Sequence, residues 1–431
     1  MSLFSLVSIL ITLAAVSSYF NYRYIKLPTT IGVMLVALVA SLTLIIIGPY
    51  ADGLREQAAT LVTQIDFDQV VLHGMLAFLL FAAAIHVDAK SLHQEWLPIA
   101  LLAVCGTLIS TCIVGALTWL MLDLLGLGIP ILHALLFGAL ISPTDPIAVG
   151  AIMKSVGASR QLDAQVAGES LFNDGLGVVA FMILLHLSGL DGAGADGITT
   201  QSSLDVTAIG LVLLKEIGGA LVLALAAGLV AHEMLRRVDN YQVGVLITLA
   251  LAMGLYALAD ALHLSAPIAV VVTGLFLSNR GRSSAMTDKT REHIGAFWEL
   301  IDEILNVVLF MLIGLELLVM PFERGWLLAG ALAIPIVLAA RWLCVAGIIG
   351  PLSWMTKQSK GAITILTWAG LRGGISVAMA LSIPESGSRS LILTLTYCVV
   401  VFSIIVQGLT VGRVIRRSSG STSASETRQE G

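Results

Sequence analysis

Apolar runs of about 20 residues recur from one end of this chain to the other, each long enough for an α-helix to cross about 30 Å of hydrocarbon. In lipid only helices and closed barrels satisfy their own backbone hydrogen bonds. The runs are continuous rather than alternating, which excludes a β-barrel. Composition agrees: 57% of the 431 residues are hydrophobic and only 12% are charged. With a mean hydropathy of +0.95, the chain lies outside the range of soluble proteins of this length. It reads as an all-α integral membrane protein whose first partner is membrane lipid.

The runs divide into thirteen segments near 3–20, 28–48, 68–87, 97–121, 129–153, 164–189, 206–235, 242–262, 265–278, 294–318, 326–350, 361–383 and 389–412. Lys and Arg mark cytoplasmic loops. One side carries Arg23, Lys26, Lys90, Lys154, Arg160, Arg236, Arg237, Arg280, Arg282, Lys289, Arg291, Lys357, Lys360, Arg413, Arg416 and Arg417. The other has Arg55, Arg324 and Arg389 among acidic residues that include Asp52, Glu56, Asp66, Asp68, Asp191, Asp196 and Asp205. Thirteen crossings with the N-terminus outside and the C-terminus in the cytoplasm fit this pattern. They imply a multi-pass cell-membrane protein, in the inner membrane if the source is Gram-negative. No Lys or Arg precedes the first run while Arg23 and Lys26 follow it, so it reads as an uncleaved helix rather than a leader.

Residues 1–412 thus form one transmembrane domain. The tail 413–431 is read as short and cytoplasmic, and from Ser418 on it is polar and expected to be disordered. The net charge of -5, with cations spread over short loops, argues against a nucleic-acid partner. Cys105, Cys112, Cys344 and Cys398 all lie in apolar runs, without disulfide or metal-ligand spacing. No cofactor is expected.

Ionisable residues within apolar runs are costly, and they point to function. In the fifth segment, Ser142-Pro143-Thr144-Asp145-Pro146 places two prolines around Thr144. Each removes a backbone donor, so the helix should break there and expose carbonyls that, with the Thr144 hydroxyl, can ligate a hard cation. A plain proline kink would not need Asp145. In the sixth segment, Gly168-Glu169-Ser170-Leu171-Phe172-Asn173-Asp174-Gly175 sets two carboxylates into apolar sequence. Glu169 and Asp174 are about 500° apart around a helix and have different jobs, while Ser170 and Asp174 share a face. A buried carboxylate holds a proton or a cation but not readily both. That competition makes an exchanger if the site faces one side at a time.

In the twelfth segment, Gly370-Leu371-Arg372-Gly373-Gly374 puts Arg372 at membrane depth, where it needs a counter-charge; Glu169 is the expected partner. The fifth and twelfth segments run in opposite directions. Two interrupted helices in that relation mark an inverted-repeat transporter with its site at the midplane.

Together with Phe297-Trp298-Glu299 through Leu315-Glu316, these motifs resemble the monovalent cation:proton antiporter family of the NhaP and sodium/proton exchanger type. The resemblance covers nearly the whole chain. It implies an antiporter fold of about 13 helices with two crossing interrupted helices, a core domain that moves against a dimerisation domain, a homodimer, and a role in sodium and pH homeostasis. It assigns Asp174 as the carrier, with Ser170 and Thr144 ligating the monovalent cation, Asp145 and Asn173 supporting the site, and Glu169 paired with Arg372. Electrogenic relatives have a second aspartate before the carrier, where this chain has Asn173, and this implies electroneutral one-for-one exchange.

Many relatives also have a glutamate in the third segment, where this chain reads Phe81-Ala82-Ala83-Ala84-Ile85-His86-Val87-Asp88 and Ala82 takes the glutamate's place. Sodium is the first reading, with lithium and potassium open. Asp88 and His86 are assigned to a pathway, set against a helix-end charge and a packing histidine. Glu316 is read as facing a pathway or the other domain, without ion binding. Lys215, Glu216 and Arg341 either snorkel or pair. A cation channel and a sodium-coupled organic solute transporter remain as alternatives. A hydrolase is disfavoured, since no histidine lies in either central cluster and no GxSxG or HExxH occurs.

Overall fold

The computed structural model describes residues 3–47, 54–64, 67–190, 206–280, 287–320, 323–355, 358–359 and 361–419. Among them Asp52, Asp66, Asp191, Asp196, Asp205, Arg282, Lys357 and Lys360, used above to orient the loops, are not included. The described residues are helical throughout, with no β-strand. In chain order the helices are α1 (Leu3–Phe20), α2 (Thr29–Ile47), α3 (Leu54–Thr63), α4 (Leu76–His86), α5 (Ala89–Gln94), α6 (Trp96–Ala100), α7 (Thr107–Leu124), α8 (Ile131–Ile141), α9 (Ile147–Ser155), α10 (Arg160–Leu187), α11 (Val206–Arg236), α12 (Tyr241–Ala261), α13 (Ala266–Arg280), α14 (Asp288–Glu316), α15 (Arg324–Met355), α16 (Ala362–Ala369), α17 (Gly374–Leu381), α18 (Arg389–Phe402) and α19 (Gly408–Ser419). Wider π-helical turns at Gln69–Met75, Leu101–Gly106 and Ser403–Gln407 lead into α4, α7 and α19.

All thirteen expected segments fall on helix. Nine stretches among the described residues are long and apolar enough to cross a bilayer. The other four segments depart from that pattern in instructive ways: α8–α9 and α16–α17 are interrupted, α13 is short, and α14 carries charged side chains along its first half. Exposed apolar side chains such as Val16, Val222, Val230, Leu246 and Trp354 cover the perimeter, where lipid is their solvent. Several helices begin at polar caps. Asn240 accepts from the Gln242 amide at 2.9 Å, and Ser159 from the Leu162 amide at 3.3 Å.

Two differences from the sequence reading stand out. α3 was not expected, because Leu54-Arg55-Glu56-Gln57 is too polar to register as an apolar run. The last helix continues through Ser419, so residues 413–419, expected in the tail, are helical; 420–431 lie outside the described residues.

The helices sort into two groups that pack chiefly among themselves. One contains α7–α10 and α15–α19; the other contains α1, α2, α4 and α11–α14. Within the first group α7 and α8 approach so closely that a Cβ on Gly138 would collide with the Thr111 carbonyl and lie 3.1 Å from the Gly115 amide. Only glycine allows this spacing. Gly138→Val is expected to destabilise the protein by at least about 2 kcal/mol, seen as a lower unfolding temperature in detergent. Gly254→Ala, where the added carbon meets nothing within 4 Å, is expected to be neutral or slightly stabilising in the same assay.

Candidate functional site

The two interrupted helices cross at their breaks. Between α8 and α9 the helix is interrupted over Ser142–Pro146, and between α16 and α17 over Gly370–Gly373. The breaks pair as an antiparallel bridge in which the Asp145 amide donates to the Leu371 carbonyl at 2.7 Å. Pro143 and Pro146 explain the first break, since neither can donate to a preceding turn. Glycine explains part of the second. A Cβ at Gly373 would run into the Asp145 carboxylate, so the backbone at the start of α17 can meet that carboxylate only without a side chain. A negative charge at a helix N-terminus is electrostatically favoured.

The exposed carbonyls at the end of α8 are taken by an arginine. Arg372 Nη1 donates to the Ser142 and Pro143 carbonyls, the latter at 2.8 Å, and the Arg372 amide donates to Ser403 Oγ at 2.9 Å. Ser403 opens one of the π-helical turns, a distortion common near functional sites. The end of α16 is served the same way, with Arg341 Nη2 donating to the Leu366 carbonyl at 3.0 Å.

Here the structure corrects the expected ion pair. Glu169 pairs not with Arg372 but with Arg341 on α15, in a two-pronged contact with Nη1 on Oε1 and Nη2 on Oε2, the latter at 2.8 Å. Both residues are buried. Arg372 is occupied by the carbonyls of the first break, and Glu169 lies on the side of α10 that faces α15. A signal was present in the sequence: Arg341 sits too far from either end of α15 for its side chain to snorkel.

The other candidates converge on the first break. Thr144 Oγ1 lies 2.9 Å from Ser170 Oγ; Asn173 Nδ2 donates to Thr144 Oγ1 at 3.0 Å, and the Thr144 amide donates to Asn173 Oδ1 at 3.3 Å. Asn173 therefore clamps Thr144 at the break through both ends of its amide, something an aspartate carboxylate could not do. Asp174, one residue on, is buried and makes no hydrogen bond among the described residues. Its carboxylate lines a narrow cavity with Thr144, Asp145, Gly373 and Ser376 from one helix group and Leu79, Ala83 and Leu309 from the other. The cavity thus lies between the two groups. It offers about 40 Å³ of room for water, enough for an ion and a few waters.

The two pathway candidates lie elsewhere. Asp88 caps α5, accepting from Ser91 Oγ at 2.7 Å and the Lys90 amide at 3.4 Å. His86 has its ring nitrogens 2.7 Å from the Ala82 carbonyl and 3.2 Å from the Gly295 carbonyl, tying α4 to α14. Neither lines the cavity. Ala82 is fully buried, and α4 gives the cavity only apolar side chains.

Breaking one partner of a buried ion pair costs about 3–5 kcal/mol. A double-mutant cycle of Glu169→Gln with Arg341→Gln is expected to show a coupling of about 2 kcal/mol in thermal unfolding, against under about 0.5 kcal/mol for Glu169→Gln with Arg372→Gln.

The sequence matches the model of the transmembrane sodium/hydrogen exchanger family over residues 9–417. The Na(+)/H(+) antiporter NhaP of Pseudomonas aeruginosa is 46% identical over 425 residues, covering 96% of each chain. The Na(+)/H(+) antiporter NhaH of Halobacillus aidingensis is 34% identical, again over 96% of each. The solved structure of the sodium proton antiporter MjNhaP1 from Methanocaldococcus jannaschii superposes with a TM-score of 0.74 at 20% identity, over 97% of this chain and 100% of that one. The crossed breaks, the cavity between two helix groups and these matches lead to one assignment: the chain belongs to the sodium/hydrogen exchanger family, whose members are transporters rather than enzymes.

Proposed function

We propose that the protein exchanges a monovalent cation, sodium in the first place, for a proton at Asp174, one for one and by alternating access. The observation that carries this reading is a charge count. Around the crossed breaks lie three carboxylates, Glu169, Asp145 and Asp174, and two guanidiniums, Arg341 paired with Glu169 and Arg372 on the Ser142 and Pro143 carbonyls. The cluster holds one negative charge in excess, and a single proton or a single monovalent cation on Asp174 neutralises it. A buried uncompensated charge is costly, so the empty ionised site is the unfavourable state and either ligand relieves it. Movement of the helix group carrying Asp174 against the other would then be easy with either ligand bound and hard with neither.

In this cycle Asp174 takes a proton from outside, the group shifts, the proton leaves to the cytoplasm, and sodium replaces it for the return. Ser170 and Thr144 hydroxyls complete the oxygen ligands, Asn173 holds Thr144 in place, and Asp145 stays at the start of α17. Lithium or potassium can enter the same site in principle. Sodium is favoured by the names of the two relatives reported above, both Na(+)/H(+) antiporters. The N-terminus is placed outside and the C-terminus in the cytoplasm, in the cell membrane, and the second helix group forms the contact of a homodimer.

An organic solute is disfavoured by size, since the cavity's room of about 40 Å³ is far below the roughly 300 Å³ at which small-molecule pockets begin. A channel would need no titratable carboxylate at its narrowest point, and its flux would ignore an opposing pH gradient.

Reconstituted into liposomes with a trapped pH dye and an acidic interior, the wild type is expected to alkalinise the lumen when sodium is added outside, equally with the voltage clamped. Asp174→Asn should show only the leak of protein-free liposomes; exchange at the wild-type rate would reject Asp174 as carrier. Ser170→Ala should raise the sodium KM about tenfold, the loss of roughly 1.4 kcal/mol from one oxygen ligand, with little change in maximal rate.

A further inference from the structure

A second cavity, of about 430 Å³, lies at the opposite end of α14 and α17 from their contacts with Asp174's cavity. It is lined by Asp68, Glu316, Glu385 and Arg389 among apolar side chains that include Val319 and Leu381. The same two helices border both spaces. On α17, Gly374, Ile375 and Ser376 line the narrow cavity, and Leu381 lines the wide one. On α14, Leu309 lines the first and Glu316 the second. Seven residues is two turns, so Leu309 and Glu316 share a face about 10 Å apart. Between them on that face Leu312 and Ile313 are buried and close off the one from the other.

Glu316 is an odd residue for its position. It is only 8% exposed, yet it makes neither a hydrogen bond nor an ion pair among the described residues. Among the described residues that line this cavity the cation is Arg389, which is engaged by Glu385 and donates to the Leu381 carbonyl at 2.9 Å. Glu316 is also the last residue of α14, where the helix dipole disfavours a negative charge. Packing alone would select against a buried carboxylate placed there. The wide cavity therefore holds a Glu385–Arg389 pair and, more deeply buried, the carboxylate of Glu316, which has no such partner among the described residues.

We propose that this vestibule is a staging site for a hydrated monovalent cation, with Glu316 as the carboxylate that anchors it. The site rests on the exchange reading above and adds to it a second binding step, on the face of the membrane that carries the acidic loops. The volume accommodates the ion with its water shell, so the step needs no dehydration. Low-dielectric walls around a net negative pocket raise the local cation concentration at the point where the closure at Leu312 and Ile313 must open. Glu316 touches the cation only in transit, which separates its effect from that of Asp174: it governs access from one face, not the capacity to exchange.

The test uses the full-length protein in right-side-out and inverted membrane vesicles, with the apparent KM for sodium measured from each face. Glu316→Gln is expected to raise that KM about fivefold from the vestibule face, leaving the other face and the maximal rate unchanged, and Glu316→Asp to restore it to within about twofold. Val319→Lys, which places a cation on the vestibule wall one turn from Glu316 while leaving that carboxylate in place, should raise the same one-sided KM. It decides the matter alone if Glu316→Gln fails to accumulate. An unchanged KM in these variants, or an equal rise from both faces, would overturn the staging site while leaving exchange at Asp174 standing. Absence of any sodium-dependent proton flux in the wild type would instead overturn the exchange reading and the staging site with it.

Discussion

The crossing of two broken helices is the constraint on which the rest of the structure depends. Backbone that leaves the helix inside a membrane must find other partners for its amides and carbonyls. Here the two breaks supply some of them to each other, through the Asp145 amide and the Leu371 carbonyl. The remainder are met by side chains. Arg372 takes the carbonyls that end α8, Arg341 the carbonyl of Leu366 in α16, and Asn173 the Thr144 amide. Apart from Asp174, every charged group at the crossing can thus be traced to a backbone group that the break released, or to a charge brought in to meet one.

This solution has consequences for function. Arginines installed to cap carbonyls need anions, and Glu169 answers Arg341 directly. Asp145 sits against the start of α17. Asp174 is the carboxylate left over, buried without a hydrogen bond and facing a cavity. Such a carboxylate, placed between two groups of helices that pack mainly within themselves, is what the proposed competition between a proton and a cation requires.

Much of this was legible along the chain, because membranes impose strict rules on sequence. The apolar runs gave the helices, the prolines around Thr144 marked the first break, and the glycines around Arg372 marked the second. Carboxylates at Glu169 and Asp174 stood out because nothing but function or pairing keeps a charge in lipid. α3 escaped notice because a polar surface helix has no comparable signature. The partner of Glu169 was misplaced for a different reason. Pairing depends on which faces of α10, α15 and α16 meet, and two arginines in two different helices were both eligible by charge.

What the sequence by itself determined was the class, the breaks and the residues that cannot be bystanders, since hydrogen-bond satisfaction and desolvation act on each segment separately and leave a local trace. What only the tertiary structure decided was who meets whom. It gave Arg341 to Glu169 and Arg372 to carbonyls, made Asp88 a helix cap rather than part of the narrow cavity, and brought Glu316 to the lining of a second cavity. Those outcomes come from the packing of helices far apart in the chain, and contacts between distant segments depend on relative rotation and depth that no single segment encodes.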